Sequence, residues 1–290
     1  MSLLIFFMRC LSKLPFSTVQ GIGRLLGRAI LRFDQRTVKA IDHNLAICFP
    51  DQSHQQRRAI RNARLAYMGQ ILFEMSHLWT KDTSTLLSYL QPGFDNSEFE
   101  EAIKGDRGII FLAPHIGNWE VMNSYLGQFC NPTFMYRPQR SDTLDRFIYD
   151  SRKRVGANLA PANNKGVAQL IKALNTSNTV GILPDQVPQE GGGVYAPFYG
   201  QEAYTMTLAH KLSQKTQAQV FIAAAYQMKG GYQVLVEPVD SDFYSDDAHI
   251  SATALNRSIE SVINRYPEQY QWEYKRFKKQ ANGERFYPKG

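Results

Sequence analysis

Cysteine is scarce in this chain: Cys10, Cys48 and Cys130 are the only three in 290 residues. No two stand in a C-x-x-C or other metal-ligand spacing, which argues against a zinc ribbon, a dithiol redox centre and a disulfide framework. They read as small core hydrophobes of a reducing compartment. Acidic residues are missing from everything before Asp34. Long apolar runs are missing too, none approaching the ~20 residues that a bilayer-crossing helix needs. A signal peptide fits poorly, because no basic stretch precedes apolar residues 3–8 and Arg9 interrupts them. There is no Ser/Gly/Pro-rich linker and no internal repeat, so one domain with an appendage is expected.

Several site signatures are also lacking. Without G-x-S-x-G, a serine hydrolase of the common α/β type is unsupported. Without H-E-x-x-H, and with His43, His54, His77, His210 and His249 scattered, no metal site is expected. Gly191, Gly192 and Gly193 are not followed by the Lys-Ser/Thr of a phosphate loop. Gly21, Gly23 and Gly27 have the wrong spacing for a dinucleotide loop and follow no strand.

What is present is basic and amphipathic. The net charge is +7 and the pI near 9.2, which fits an anionic partner such as nucleic acid, a membrane face or an acidic protein. Arg9, Lys13, Arg24, Arg28 and Arg32 alternate with apolar residues that include Leu11, Leu14, Phe16, Ile22, Leu25 and Leu26. Spacings of four put Arg24, Arg28 and Arg32 on one helical stripe. Residues 1–32 are therefore expected to form a basic amphipathic membrane anchor, ahead of a domain over 33–290. The competing reading is an ordinary surface helix packed on that domain.

Residues 53–79 predict a long helix, opened by a Ser53/Gln56 capping box and patterned by Ile60, Ala63, Tyr67, Ile71 and Leu78. Its polar side carries Arg57, Arg58, Arg61 and Arg64, candidates for membrane or lipid phosphate, against the plainer reading of a solvated face. Apolar runs at 108–112, 133–136, 179–183, 220–226 and 232–236 predict strands. Helical patterns begin at Asn118 and cover 164–175, 205–212 and 251–265, with a further helical segment carrying Arg146, Arg152, Lys153 and Arg154, and residues 189–193 read as a glycine-rich loop. Strands alternating with helices predict an α/β fold with a mixed, largely parallel sheet flanked by helices.

The most informative stretch is Ala113-Pro114-His115-Ile116-Gly117-Asn118-Trp119-Glu120. It sets a histidine at a strand-to-helix turn, on the sheet edge where open α/β folds keep their sites. A carboxylate five residues on is expected to reach back and steady the imidazole, as a general base requires. Arg137 and Asp185 follow two further strands, so three strand ends converge. Each has a plainer role: a structural histidine, a cap at Asn118, a tight turn at Gly117.

H-x4-E in this setting resembles the late acyltransferases of lipid A biosynthesis, the lauroyl/myristoyl branch of the lysophospholipid acyltransferase superfamily. The likeness extends over most of the chain. It includes Asn44-Leu45 with Cys48-Phe49-Pro50, the block from His115 to Glu120, and Tyr136-Arg137-Pro138 with Arg152. It continues through Leu183-Pro184-Asp185-Gln186, Pro197-Phe198-Tyr199-Gly200, Pro267-Glu268-Gln269-Tyr270, Trp272 and Lys275-Arg276-Phe277. The resemblance implies a glycerolipid acyltransferase-like fold and transfer of a fatty acyl chain from acyl carrier protein to a hydroxyl of a lipid A precursor. The site would lie at the cytoplasmic face of the inner membrane, and no bound cofactor is implied beyond the donor's acyl-phosphopantetheine. His115 would be the base and Glu120 its orienting partner, with no acyl-enzyme and no metal. Arg137, Arg152 or backbone N–H groups near Gly117 and Asn118 are oxyanion or substrate candidates. Asp185 would bind a sugar hydroxyl, hold an arginine, or form a structural ion pair. An acyltransferase of the same family acting on another glycolipid or an aminolipid is the alternative, and a non-catalytic basic membrane-binding protein is a third. Nucleic acid is disfavoured, because the basic residues coincide with amphipathic segments and no binding module is recognised.

Overall fold

The computed structural model of the chain describes residues 2–284, 286 and 287, without the side chains of residues 30–32, so the expected place of Arg32 on the basic stripe lies outside the described residues. Four helices come first: α1 (Leu3–Leu11), α2 (Phe16–Phe33), α3 (Gln35–Cys48) and α4 (His54–Leu78). Then follow α5 (Thr83–Leu87), β1 (Leu90–Gln91), α6 (Ser97–Ala102), β2 (Ile109–Leu112) and α7 (Val121–Leu126). Next are β3 (Thr133–Tyr136), α8 (Asp142–Arg154), β4 (Asn158–Pro161), α9 (Asn164–Asn175) and β5 (Thr179–Ile182). A hairpin of β6 (Gly193–Phe198) and β7 (Gln201–Met206) leads to α10 (Leu208–Thr216), β8 (Gln219–Met228), β9 (Gly231–Pro238) and α11 (Ala248–Arg265).

Local sequence sets several boundaries. Ser53 Oγ accepts the Gln56 N–H while Gln56 Oε1 accepts the Ser53 N–H, the reciprocal cap that starts α4. Asn163 and Asp247 accept the first free N–H groups of α9 and α11. The helix expected from Asn118 begins at Val121. Residues 205–212, expected to be helical, are split. Thr205 and Met206 pair with Val194 and Gly193 in the hairpin, and α10 starts at Leu208. Tyr199 and Gly200 form the hairpin turn with φ of 49° and 74°, the positive values that a two-residue primed turn requires.

The seven-stranded sheet runs β1-β9-β8-β2-β5-β3-β4 and is parallel except between β8 and β9. The expected mixed, largely parallel sheet is present, with β2 at its centre. Ile110 and Leu112 of β2 face a core with Ile41, Leu45, Leu170 and Leu255, whereas Ile109 and Phe111 face Phe99, Met122 and Leu126. Helices cover both faces, which is why β2 reads as a continuous apolar run. Each such fully buried side chain contributes about 1.5–3 kcal/mol.

The glycines near the amino terminus have a packing reason. A methyl on Gly27 would lie 2.3 Å from the Leu65 carbonyl oxygen, and one on Gly69 would lie 2.3 Å from that of Gly23. Helices α2 and α4 thus touch backbone to backbone. Ile5, Met8, Phe16 and Val19 are buried, so α1 and α2 pack against the rest of the described chain along one side. Leu3, Leu4, Phe6, Phe7, Leu25 and Leu26 stay exposed. Among the described residues no helix is long and apolar enough to cross a membrane.

Candidate active site

Strands β2 and β5 are parallel neighbours with Leu112 opposite Ile182. His115 and Asp185 each stand three residues beyond those partners, so the register delivers them to one another. Asp185 Oδ2 accepts the His115 backbone N–H at 2.9 Å, and Oδ1 lies 2.8 Å from ring Nδ1. With the proton on Nδ1, Nε2 is left with a lone pair. Gln186 Nε2 stands 3.2 Å from that atom and also donates to Gln271 Oε1 at 3.2 Å. The Trp119 ring packs edge-on against the imidazole, centroid to centroid 4.8 Å.

Asp185 is only 2 % exposed. Burial alone would raise its carboxyl above the ordinary range, but the charge of His115 and its two hydrogen bonds hold it below. Burial pushes the Tyr270 hydroxyl well up, and nearby Asp185 adds to that shift. Arg276, also buried, donates to the Tyr204 carbonyl and to Thr205 Oγ1 at 2.7 and 2.8 Å.

The contact expected between His115 and Glu120 does not form. Gly117 turns the chain at φ 59°, and a Cβ there would fall 1.8 Å from the Ala225 carbonyl oxygen. Glu120 arrives at the start of α7, where α8 presents Arg152. The two carboxylate oxygens accept from Arg152 Nε at 3.3 Å and from Nη2, and Asn123 Nδ2 donates at 3.2 Å. Arg152 also lies over the Tyr136 ring, 5.5 Å from its centroid. Burial would lower the Arg152 pKa, but Glu120 beside it keeps it above its ordinary value. Glu120 is therefore a clamp on Arg152, and Asp185 is the carboxylate on His115.

Two oxyanion candidates are already occupied. The Gly117 N–H donates to the Gln269 carbonyl at 3.1 Å, and the Asn118 N–H to that of Ala225 at 3.0 Å. The Asn118 side chain points into the protein, donating to Glu74 Oε2 at 3.0 Å. Arg137, at the end of β3, is exposed with no partner among the described residues. The arginine face of α4 is not a free cationic surface. Arg57 donates to the carbonyls of Phe49, Pro50 and Gln52, and Arg61 pairs with Asp42 at 2.9 Å. Arg64 is 2 % exposed, pairs with Glu273 at 2.6 Å and shares the Gln269 carbonyl with Gly117. Arg58 alone of the four is exposed.

A family model described as "Bacterial lipid A biosynthesis acyltransferase" matches residues 1–279. The chain belongs to this family. The Escherichia coli (strain K12) lipid A biosynthesis lauroyltransferase is 27% identical over 275 residues, 93% of this chain and 89% of that protein. The palmitoleoyltransferase of the same strain is 25% identical, covering 94% and 89%, and its myristoyltransferase 26%, covering 89% and 80%.

This acyltransferase holds its site with residues that no motif reading singled out. Glu74 of α4, fully buried, accepts on Oε1 from Gln20 and Gln70 at 2.8 and 2.7 Å. Its Oε2 accepts from Asn118, Tyr232 and Gln227. Among the described residues no ion pair reaches Glu74; neutral donors from α2, α4, the His115 loop, β8 and β9 share its charge. The carboxyl-terminal strap, residues 266–277, closes over the His115 loop, with the Gln271 N–H donating to the His115 carbonyl at 3.0 Å. The only signals for Gln186 and Gln271 were their places inside the blocks around Asp185 and Trp272.

Proposed function

We propose that this acyltransferase moves a fatty acyl chain of the lauroyl/myristoyl class from acyl carrier protein to a hydroxyl of a lipid A precursor, at the cytoplasmic face of the inner membrane. The two-point contact of Asp185 with His115 carries the chemical part of this reading, because it fixes the tautomer and leaves Nε2, facing the Gln186 amide, as the base. The acceptor hydroxyl displaces the Gln186 amide and gives its proton to Nε2 as its oxygen attacks the thioester carbonyl. Asp185 steadies the imidazolium. The tetrahedral intermediate then breaks its C–S bond, and the thiolate leaves and takes the proton from Nε2. No acyl-enzyme is needed. Of the original oxyanion candidates Arg137 stays free, and Gln186, standing beside Nε2, joins it.

The net charge of +7 suits an acidic carrier protein, a phosphorylated glycolipid and an anionic leaflet. The exposed apolar side chains of α1 and α2 suit contact with a bilayer surface. Incubating the purified protein with defined acyl carrier protein thioesters and a tetra-acylated lipid A precursor tests the reading. A product heavier by one acyl chain is expected. Transfer only to a different glycolipid or aminolipid, or none at all, would overturn the acceptor assignment.

A further inference from the structure

A cleft of about 440 Å³ opens between α2 and α4, with Glu268 on its rim. Its polar lining is Arg24, Arg28, Tyr67 and Glu268, over an apolar floor that includes Ile60 and Ala63. Both signs of charge are present, yet they do not neutralise each other. Arg24 is fixed by Gln70 Oε1 and by the Tyr67 ring, 4.9 Å from its guanidinium. Arg28 and Glu268 have no hydrogen-bond or ion-pair partner among the described residues, although Glu268 is half-buried. A half-buried carboxylate, with the Arg28 guanidinium unpaired and the Arg24 one held only by neutral partners, is a charge array that lacks its complement.

We infer that this cleft seats the phosphoethanolamine headgroup of a bilayer phospholipid. The inference rests on the proposed membrane contact and names the lipid chemistry that contact recognises. The phosphodiester takes the Arg24 and Arg28 guanidinium groups, a charge-assisted contact suited to its oxygens. The primary ammonium donates hydrogen bonds to Glu268. A quaternary choline has no N–H to donate, and a glycerol headgroup brings no positive charge, so Glu268 discriminates against both. Leu25 and Leu26 of the same helix are 67% and 50% exposed, so α2 presents apolar surface to solvent as well as the cleft's two arginines. Glu268 directly precedes Gln269, whose carbonyl holds Gly117 and Arg64, so the occupied cleft adjoins the strap that supports the active-site loop.

Flotation of the full chain with phosphatidylcholine vesicles, with and without phosphatidylethanolamine, reads the preference. Wild type is expected to bind the ethanolamine vesicles about three- to tenfold more tightly. Glu268→Gln, nearly isosteric, should abolish that preference and keep wild-type binding to phosphatidylcholine. Arg24→Gln with Arg28→Gln should weaken binding to both vesicle types, with thermal unfolding reported for each variant. Phosphatidylethanolamine loosens lipid packing for any amphipathic helix, so Glu268→Gln is the deciding arm. A preference that survives this change, or no preference in wild type, overturns the headgroup assignment and leaves membrane contact standing. Wild type that binds neither these vesicles nor ones with added phosphatidylglycerol overturns both.

Discussion

The surroundings of Asp185 and Glu120 give these two carboxylates different work. Asp185 is set by strand register against Nδ1, whereas Glu120 is spent on Arg152. Asp185→Asn should therefore lower kcat by about 10²–10⁴-fold with the fold retained, approaching His115→Ala in steady-state transfer assays. Glu120→Gln should instead behave like Arg152→Gln, and the double variant should be no worse than either alone, since each single change leaves a buried charge unpaired. Additive losses would break the link between those two residues. Glu74→Ala removes the acceptor of several buried donors at once and should cost several kcal/mol in denaturant unfolding, more than Glu74→Gln. The H-x4-E motif and its histidine were legible in sequence because a strand, a turn and a helix start are local features. The choice of Asp185 over Glu120 was not, because it depends on which strand lies beside β2. Nor was the fate of Arg61 and Arg64, whose partners Asp42 and Glu273 are distant in sequence.

Among the elements, α2 depends most on small side chains. Gly27→Ala puts a methyl into the Leu65 carbonyl and should undock α2, at about 1–3 kcal/mol and with faster hydrogen exchange in residues 16–29. At Gly21 an added methyl would meet nothing within 4 Å, so Gly21→Ala should be neutral or slightly stabilising, the control that separates packing from helix propensity. The length and capping of α4 were readable from Ser53, Gln56 and the apolar period. The β6–β7 hairpin was not, because its turn is Tyr199-Gly200 and its first strand begins in a glycine-rich run.

For the whole molecule, charge and thiols give the accessible tests. Arg58→Ala should change stability by less than about 0.5 kcal/mol, whereas Arg64→Ala should cost about 3–5 kcal/mol by stranding Glu273. Burial pushes the Cys48 thiol well up, so alkylation near pH 8 should label exposed Cys10 and spare Cys48 until the protein unfolds. Acid should act on the site through Asp185. Its folded pKa lies below the ordinary value, so its contribution to stability is present above about pH 4 and is lost as pH falls further. Asp185→Asn should flatten that part of the acid-unfolding curve.

The strap that crosses the His115 loop also bears on the order in which the protein becomes functional during synthesis. Asn44 Nδ2 donates to the carbonyls of Trp272 and Tyr274 at 2.6 and 2.9 Å, and Gln271 closes on His115. The loop is translated early, yet the groups that hold it come after Arg265. Contacts so distant along the chain form late. A ribosome-tethered chain arrested just past α11 should therefore have most of its sheet but show no acyl transfer. Activity should appear only once the segment after Arg265 has left the exit tunnel, so the acyltransferase is born with its catalytic function still unassembled.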